Sequence, residues 1–500
     1  MRFWGVVFDR YRWSCLGSGC RVRAAGALLL AAAGVQAAAQ VLPPAVQQAL
    51  ERAGVPPAAL AVVVADAVPG GKTYLAHRAE APMNPASVMK LVTTAAALDW
   101  LGPAYTWRTA VYTDGPVRDG VLAGSLYLRG EGDPKLVTER LWLLLRRVQG
   151  LGIRHIGGDI VLDRSAFALP PHDPAAFDGE PLRPYNAAPD ALLVNFRTQV
   201  WTFVPDAAAG VARVQADPPL AEVTVPGTVP LADGPCGDWR AALQADWSDA
   251  RRPRFAGRYP LACGERIWPL AHPEPERFAA RAVAGMWAQL GGGLEGRVRE
   301  GTVPAGLTPR LVFESQPLAD VVRDINKFSN NVMAQQLLLT LAAATATQGV
   351  GPEGANAQGP TAPATFEAAR SVLRDWWRTR IGPDVPPPQI DNGAGLSREA
   401  RATALALARL LQWVYASPWM PELMASLPIA GVDGTLRRSA MGRGVAHLKT
   451  GSLADVQALA GYVHGADGQR RVLVAIVNHP NARAGRAALD ALVQWAAALR

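Results

Sequence analysis

The sequence predicts an α+β protein in which an antiparallel sheet flanked by helices is interrupted by β-rich inserted material. Three observations carry this reading. Apolar strand-like runs stand near the start, at Ala59–Ala67 and Lys72–Ala79, and again at the end, at Val445–Leu453, Gln457–Val463 and Arg471–His479, each set broken by glycine-containing turns. Helical spacing marks Pro43–Ala53, Glu276–Leu290, Pro317–Lys327, Asn331–Ala344, Ala364–Arg380, Arg398–Ala416 and Ala482–Leu499. From Pro103 to about Pro275 the texture changes to short strand-like runs cut by Gly, Pro and Asp, such as Gly124–Asp133 and Gly158–Phe167, with a helical Leu136–Leu151 between them. The late strands are expected to join the early hairpin in one sheet. On this reading residues 41–102 and 276–500 are two parts of one domain, and 103–275 is an insertion long enough to hold its own core.

At 500 residues the chain is too long for a single core, and 49% hydrophobic with 18% charged residues is a globular balance. The net charge of +8 is spread without a Lys/Arg block of the kind that binds nucleic acid, so no nucleic-acid partner is expected. Lysine occurs only at 72, 90, 135, 327 and 449 among 50 basic residues. Three of these five lie in or beside the motifs described next, where an amine can lose a proton and a guanidinium cannot.

Residues 1–40 combine a long basic start with the apolar AAGALLLAAAGVQAAAQ, short for a membrane span and ending in small residues that resemble a signal-peptidase site. Export to the periplasm is expected, with cleavage near Ala37–Gln40 and no integral membrane domain in what remains; an uncleaved anchor is the alternative, given the long basic start. Cys15 and Cys20 leave with this segment. Cys236 and Cys263 stay, where an oxidising compartment favours a disulfide and two free buried thiols are the alternative.

The stretch Asn84–Thr94, NPASVMKLVTT, places Ser87 and Lys90 three residues apart at a helix start, on one helical face. A serine hydroxyl becomes a nucleophile when a nearby base takes its proton, and a desolvated lysine amine can serve. Taken alone, Ser-x-x-Lys is a common chance pattern of a helix cap and a solvated lysine. Two further pieces follow: Ser329-Asn330-Asn331 gives Ser-x-Asn, and Lys449-Thr450-Gly451 gives Lys-Thr-Gly, in the order used by penicillin-recognising serine enzymes. Ser329 and Asn331 are expected on a tight segment between two helices, and Lys449 and Thr450 on an edge strand where Gly451 lets a substrate backbone come close. Backbone amides of Ser87 and Ser452 are the expected oxyanion donors. The seven histidines are scattered, and neither a Gly-x-Ser-x-Gly nor a paired His or Cys metal pattern occurs, so no cofactor or metal is expected.

With these motifs the chain resembles the class C low-molecular-mass penicillin-binding proteins, the D-Ala-D-Ala carboxypeptidase/endopeptidase family. The likeness extends to GEGDP (130–134), RPYNAAPDALLVNF (183–196), INKFSNN (325–331), GAGLSR (393–398) and LPIAGVDGTL (427–436). It implies a β-lactamase/transpeptidase-like catalytic domain carrying two β-rich inserted domains, with peptidoglycan stem peptides and β-lactam antibiotics as partners. Carried over, Ser87 is the acyl-enzyme nucleophile and Lys90 its base; Ser329 and Asn331 form the second catalytic element; Lys449, Thr450, Gly451 and Ser452 bind substrate. Gln335, where the family has an acidic residue, and Ala394, where it has serine, depart from the pattern. A β-lactamase and an inactive wall-binding homologue are the rival readings. Against the first, no Glu-x-x-Leu-Asn follows Asn331; the glutamates there, at 353, 367, 399 and 422, stand in other contexts.

Overall fold

In the computed structural model, residues 41–348 and 362–500 are described; the expected signal segment and most of the expected 347–363 loop lie outside them. The central sheet is five-stranded and antiparallel, in the order Ala446–Leu453, Val456–His464, Arg470–Asn478, Leu60–Asp66, Thr73–His77. Side chains alternate across a strand, and here both faces are covered. Leu60, Val62 and Val64 point to one side with Leu473, Ala475 and Val477, under the Pro44–Arg52 and Arg486–Ala498 helices. Ala61, Val63 and Ala65 point to the other with Val472, Val474 and Ile476, against the helices that carry the first two motifs. That double coverage is why these strands read as continuous apolar runs rather than as alternating ones. The expected joining of the late strands to the early hairpin is what the pairing of Leu60–Asp66 with Arg470–Asn478 forms.

The inserted material forms two further cores. In the first, strands Val298–Glu300, Ile160–Asp163, Leu126–Gly130, Arg108–Thr113 and Leu311–Glu314 make a sheet in that order. It is packed by the helices Thr138–Gly150 and Pro275–Gln289 through Leu141, Leu144, Phe278 and Val283. This pairing runs past the expected boundary at 275. Leu311–Glu314 is hydrogen-bonded to Arg108–Thr113, so we infer that the insertion extends to Glu314. The spacing of a helix reveals its apolar face but not which sheet that face covers, and the Pro275–Gln289 helix covers the inserted one.

The second inserted core is aromatic. Its sheet runs Tyr259–Pro260, Thr228–Ala232, Val211–Asp217, Thr198–Asp206, Arg266–Ala271. Phe203 stacks on Tyr259 and meets Trp239 and Phe255 edge-on. Cys236 and Cys263, 27 positions apart, are bonded at its margin. A crosslink closing a loop of this length stabilises by about 3–4 kcal/mol in the chain-entropy model. Peptide mapping after alkylation without reductant should therefore find neither cysteine labelled, and reductant should lower the unfolding temperature of the protein; two labelled cysteines would refute the bridge. Among the described residues no helix is long and apolar enough to cross a membrane.

Candidate active site

The expected helix start at Pro85 is in fact a 3-10 turn, Ala86–Met89, that runs into the α-helix Lys90–Leu101. In such a turn residues i and i+3 eclipse, which brings Ser87 and Lys90 together more directly than an α-turn would. Lys90 Nζ lies 2.9 Å from Ser87 Oγ. The turn is held from several sides. Ala86 sits at φ 46°, a left-handed conformation that costs a residue with a Cβ roughly 1–3 kcal/mol. Its amide donates to Asn84 Oδ1 at 2.9 Å, while Asn84 and Asn478 exchange side-chain and backbone hydrogen bonds at 2.8 and 3.0 Å. Asn84 Nδ2 donates to Ser397 O at 2.9 Å, tying the turn to the 393–398 loop.

Glycine matters at two contacts with this turn. A Cβ on Gly395, whose φ is +74°, would fall 1.9 Å from Ala86 O. One on Gly451 would fall 2.5 Å from Pro85 O. The close backbone that Gly451 admits is thus the nucleophile turn itself, where the sequence suggested the substrate. Gly395→Ala should push Ser87 out of line, slowing acylation by about 100-fold, since displacement of a reacting group by about 1 Å costs that much. Stopped-time labelling with a fluorescent penicillin measures it, and an unchanged rate would show that the turn tolerates the shift.

Ser329 ends the Leu318–Phe328 helix at φ 57°, and the next helix begins at Asn331. The left-handed residue terminates one helix and turns the chain into another, so Ser329 is both a helix cap and a cleft residue. Lys449, on the edge strand as expected, donates to Ser329 Oγ at 2.9 Å and to Thr450 O at 2.7 Å. Thr450 Oγ1 lies 2.8 Å from Thr435 Oγ1. Ser452 is exposed on the same strand and its hydroxyl donates to Gln457 Oε1 at 3.3 Å.

The two lysines are wholly buried. Lys90 Nζ donates to Asn331 Oδ1 and to Ala394 O, both at 2.6 Å. Burial, reinforced by the charge of Lys449, holds the Lys90 amine well below the usual lysine range. Burial alone brings Lys449 down to about 7. A neutral amine has two N–H bonds and one lone pair; with the hydrogens spent on Asn331 and Ala394, the lone pair faces the Ser87 hydroxyl. Lys327 differs from the expectation for a lysine beside a motif. It pairs with Asp433 Oδ2 at 2.6 Å and donates to Leu427 O at 2.7 Å, fastening the Ser329 helix to the 427–436 loop.

All eight residues singled out in the sequence thus lie on three adjoining elements: the turn, the interhelical segment and the edge strand. Sequence reasoning missed Asn84, Asn478, Thr435 and the Ala394 carbonyl. Ala394 stood out only as a departure in its side chain, yet its contribution is a backbone oxygen that alanine supplies as well as serine does. Gln335, the other departure, is buried next to Gln336, whose side chain bonds Gly132 O and Asp190 O.

A serine hydroxyl facing a buried lysine held well below the usual lysine range, with a second lysine and serine opposite, is the arrangement of a serine hydrolase that uses an amine in place of histidine. The chain belongs to the D-Ala-D-Ala carboxypeptidase 3 (S13) family, whose model matches residues 42–499. It is a serine-type D-Ala-D-Ala carboxypeptidase. A D-alanyl-D-alanine carboxypeptidase of Actinomadura sp. is 31% identical over 470 residues, spanning 88% of this chain and 80% of that one. The fold is similar to the crystal structure of penicillin binding protein 4 (dacB) from Haemophilus influenzae, with TM-score 0.67 and 22% identity over 90% of this chain and 99% of that one. A predatory endopeptidase of Bdellovibrio bacteriovorus, solved with an immunity protein, is similar at TM-score 0.50 and 15% identity over 87% and 92% of the two chains.

Proposed function

We propose that the protein is exported to the periplasm and hydrolyses the terminal D-Ala-D-Ala bond of peptidoglycan stem peptides, and also D-Ala–diamino-acid cross-links, through an acyl-enzyme on Ser87. The observation that carries this is the Lys90 amine, buried between Ser87 Oγ, Asn331 Oδ1 and Ala394 O, all neutral partners. Ser87 passes its proton to the Lys90 lone pair as Oγ attacks the carbonyl carbon. The amides of Ser87 and Ser452 stabilise the oxyanion, and the substrate carboxylate rests on Lys449 and Thr450. As the peptide bond breaks, the leaving amine takes a proton from the Ser329 hydroxyl, and the proton held on Lys90 replaces it there, so that Lys90 is neutral again and Lys449 keeps its charge. Water then attacks the ester and gives a proton to the neutral Lys90, which returns it to Ser87 Oγ as the acyl–oxygen bond breaks.

Penicillin presents a strained amide beside a carboxylate and fits the same groups. Among the described residues no carboxylate is hydrogen-bonded to Ser87 or Lys90, which favours slow deacylation and a penicillin target over a β-lactamase. The test is to incubate the purified protein with a peptide ending in D-Ala-D-Ala, with a cross-linked muropeptide, and with labelled penicillin. Release of D-Ala, cleavage of the dimer and a long-lived adduct on the Ser87 peptide are expected. Multiple turnover of penicillin with no trapped adduct would favour the β-lactamase, and inertness toward all three would favour the wall-binding homologue.

A further inference from the structure

We propose that Thr435 is a positioning residue for the substrate carboxylate: it donates its hydroxyl proton to Thr450 and thereby keeps the Thr450 proton free for the substrate. The proposal rests on the reading above that Thr450 meets that carboxylate. Its observation is the 2.8 Å separation of Thr435 Oγ1 and Thr450 Oγ1, two hydroxyls sharing one hydrogen bond in which either can be the donor. A carboxylate settles that direction. It only accepts hydrogen bonds, so Thr450, with its single proton, must point that proton at the carboxylate and take its second bond as an acceptor. Thr435 is the neighbour in place to donate.

The turn that carries Thr435 is fixed to the rest of the site. Gly434 packs so closely on Lys327 O that a Cβ there would lie 2.5 Å from it, and its φ of +53° suits glycine. Asp433 accepts from Lys327 Nζ at 2.6 Å and from the Ile429 amide at 2.8 Å. Lys327 stands two residues before Ser329, so the same short turn joins the end of the second-motif helix to the third-motif strand. Thr435 itself is exposed, so it can be replaced without opening the core.

The experiment compares Thr435→Val and Thr435→Ser with wild type on two thioesters of an N-acylated D-alanine, one leaving as mercaptoacetate and one as its methyl ester. A thioester reacts fast enough to be measured without the carboxylate contact. Wild type should favour the free acid, and Thr435→Val should cut that preference about tenfold by raising KM for the acid, with the methyl ester unchanged within about twofold, the scale of one hydrogen bond to a charged group. Thr435→Ser should restore the preference. Equal slowing on both thioesters would make Thr435 a structural residue, and an unchanged Thr435→Val would show that Thr450 needs no partner; either overturns the proposal while the carboxylate reading stands. A wild type indifferent to the free acid would overturn both.

Discussion

Replacing Ser87 by alanine is expected to remove both peptidase activity and the penicillin adduct, lowering turnover by about 10⁴-fold or more, the scale seen when an acyl-enzyme nucleophile is deleted. The loss should be chemical alone. Ser87 is half-buried, its neighbours are held by Asn84 and Asn478 rather than by its hydroxyl, and a single oxygen leaves. Unfolding temperature and circular dichroism should match wild type, and substrate should still bind through Lys449 and Thr450. Intact protein mass after penicillin treatment reads the adduct directly. An adduct of normal yield on Ser87→Ala would place the nucleophile elsewhere.

Lys90→Met should lower the acylation rate by about 10²–10⁴-fold, the usual contribution of a general base, with a loss of pH dependence as its signature. In wild type the acylation rate should rise with pH as Lys90 gives up its proton, then fall above about pH 7 for substrates bearing a carboxylate, as free Lys449 loses its charge. The two amines are coupled, so the limbs belong to the pair. The variant keeps the falling limb and loses the rising one.

Stability gives an independent reading of the same amine. A buried Lys90 with a lowered native pKa holds no proton at pH values where the unfolded chain still binds one, up to the ordinary lysine value of about 10.4. Over that window the unfolded state binds more protons, so folding stability rises with pH by up to about 1.4 kcal/mol per unit from this group, and the gain is absent below the native pKa. Denaturant unfolding from pH 7 to pH 10 should therefore favour wild type increasingly over Lys90→Met. Parallel curves for the two proteins would mean that Lys90 is charged in the native state, and it could not then act as the base.

The motifs were legible because acyl transfer by an amine-activated serine needs fixed residue types at short spacing, and short spacing is a local property. Ser87 with Lys90, Ser329 with Asn331 and Lys449 with Thr450 each lie within one turn or strand. The strands were legible because sheet residues covered on both faces leave unbroken apolar runs such as ALAVVVADA. What the sequence could not carry was any relation across distance. That Ala394 lends a carbonyl to Lys90 is invisible, since every residue has one. That Lys327 is an ion-pair anchor rather than a reactive amine depends on Asp433, 106 positions later. The pairing that carries the inferred extension of the insertion to Glu314 is hidden for the same reason, because the partner of Leu311–Glu314 is a strand about 200 residues earlier. The serine-peptidase class, the order of the three motifs and the two-faced sheet all follow from residue type and period. Packing decides that Lys90 and Lys449 are buried without a counter-charge while Lys327 is paired with Asp433, and that Lys90 is the one beside Ser87, because desolvation is a property of everything packed around a group and not of its neighbours in the chain.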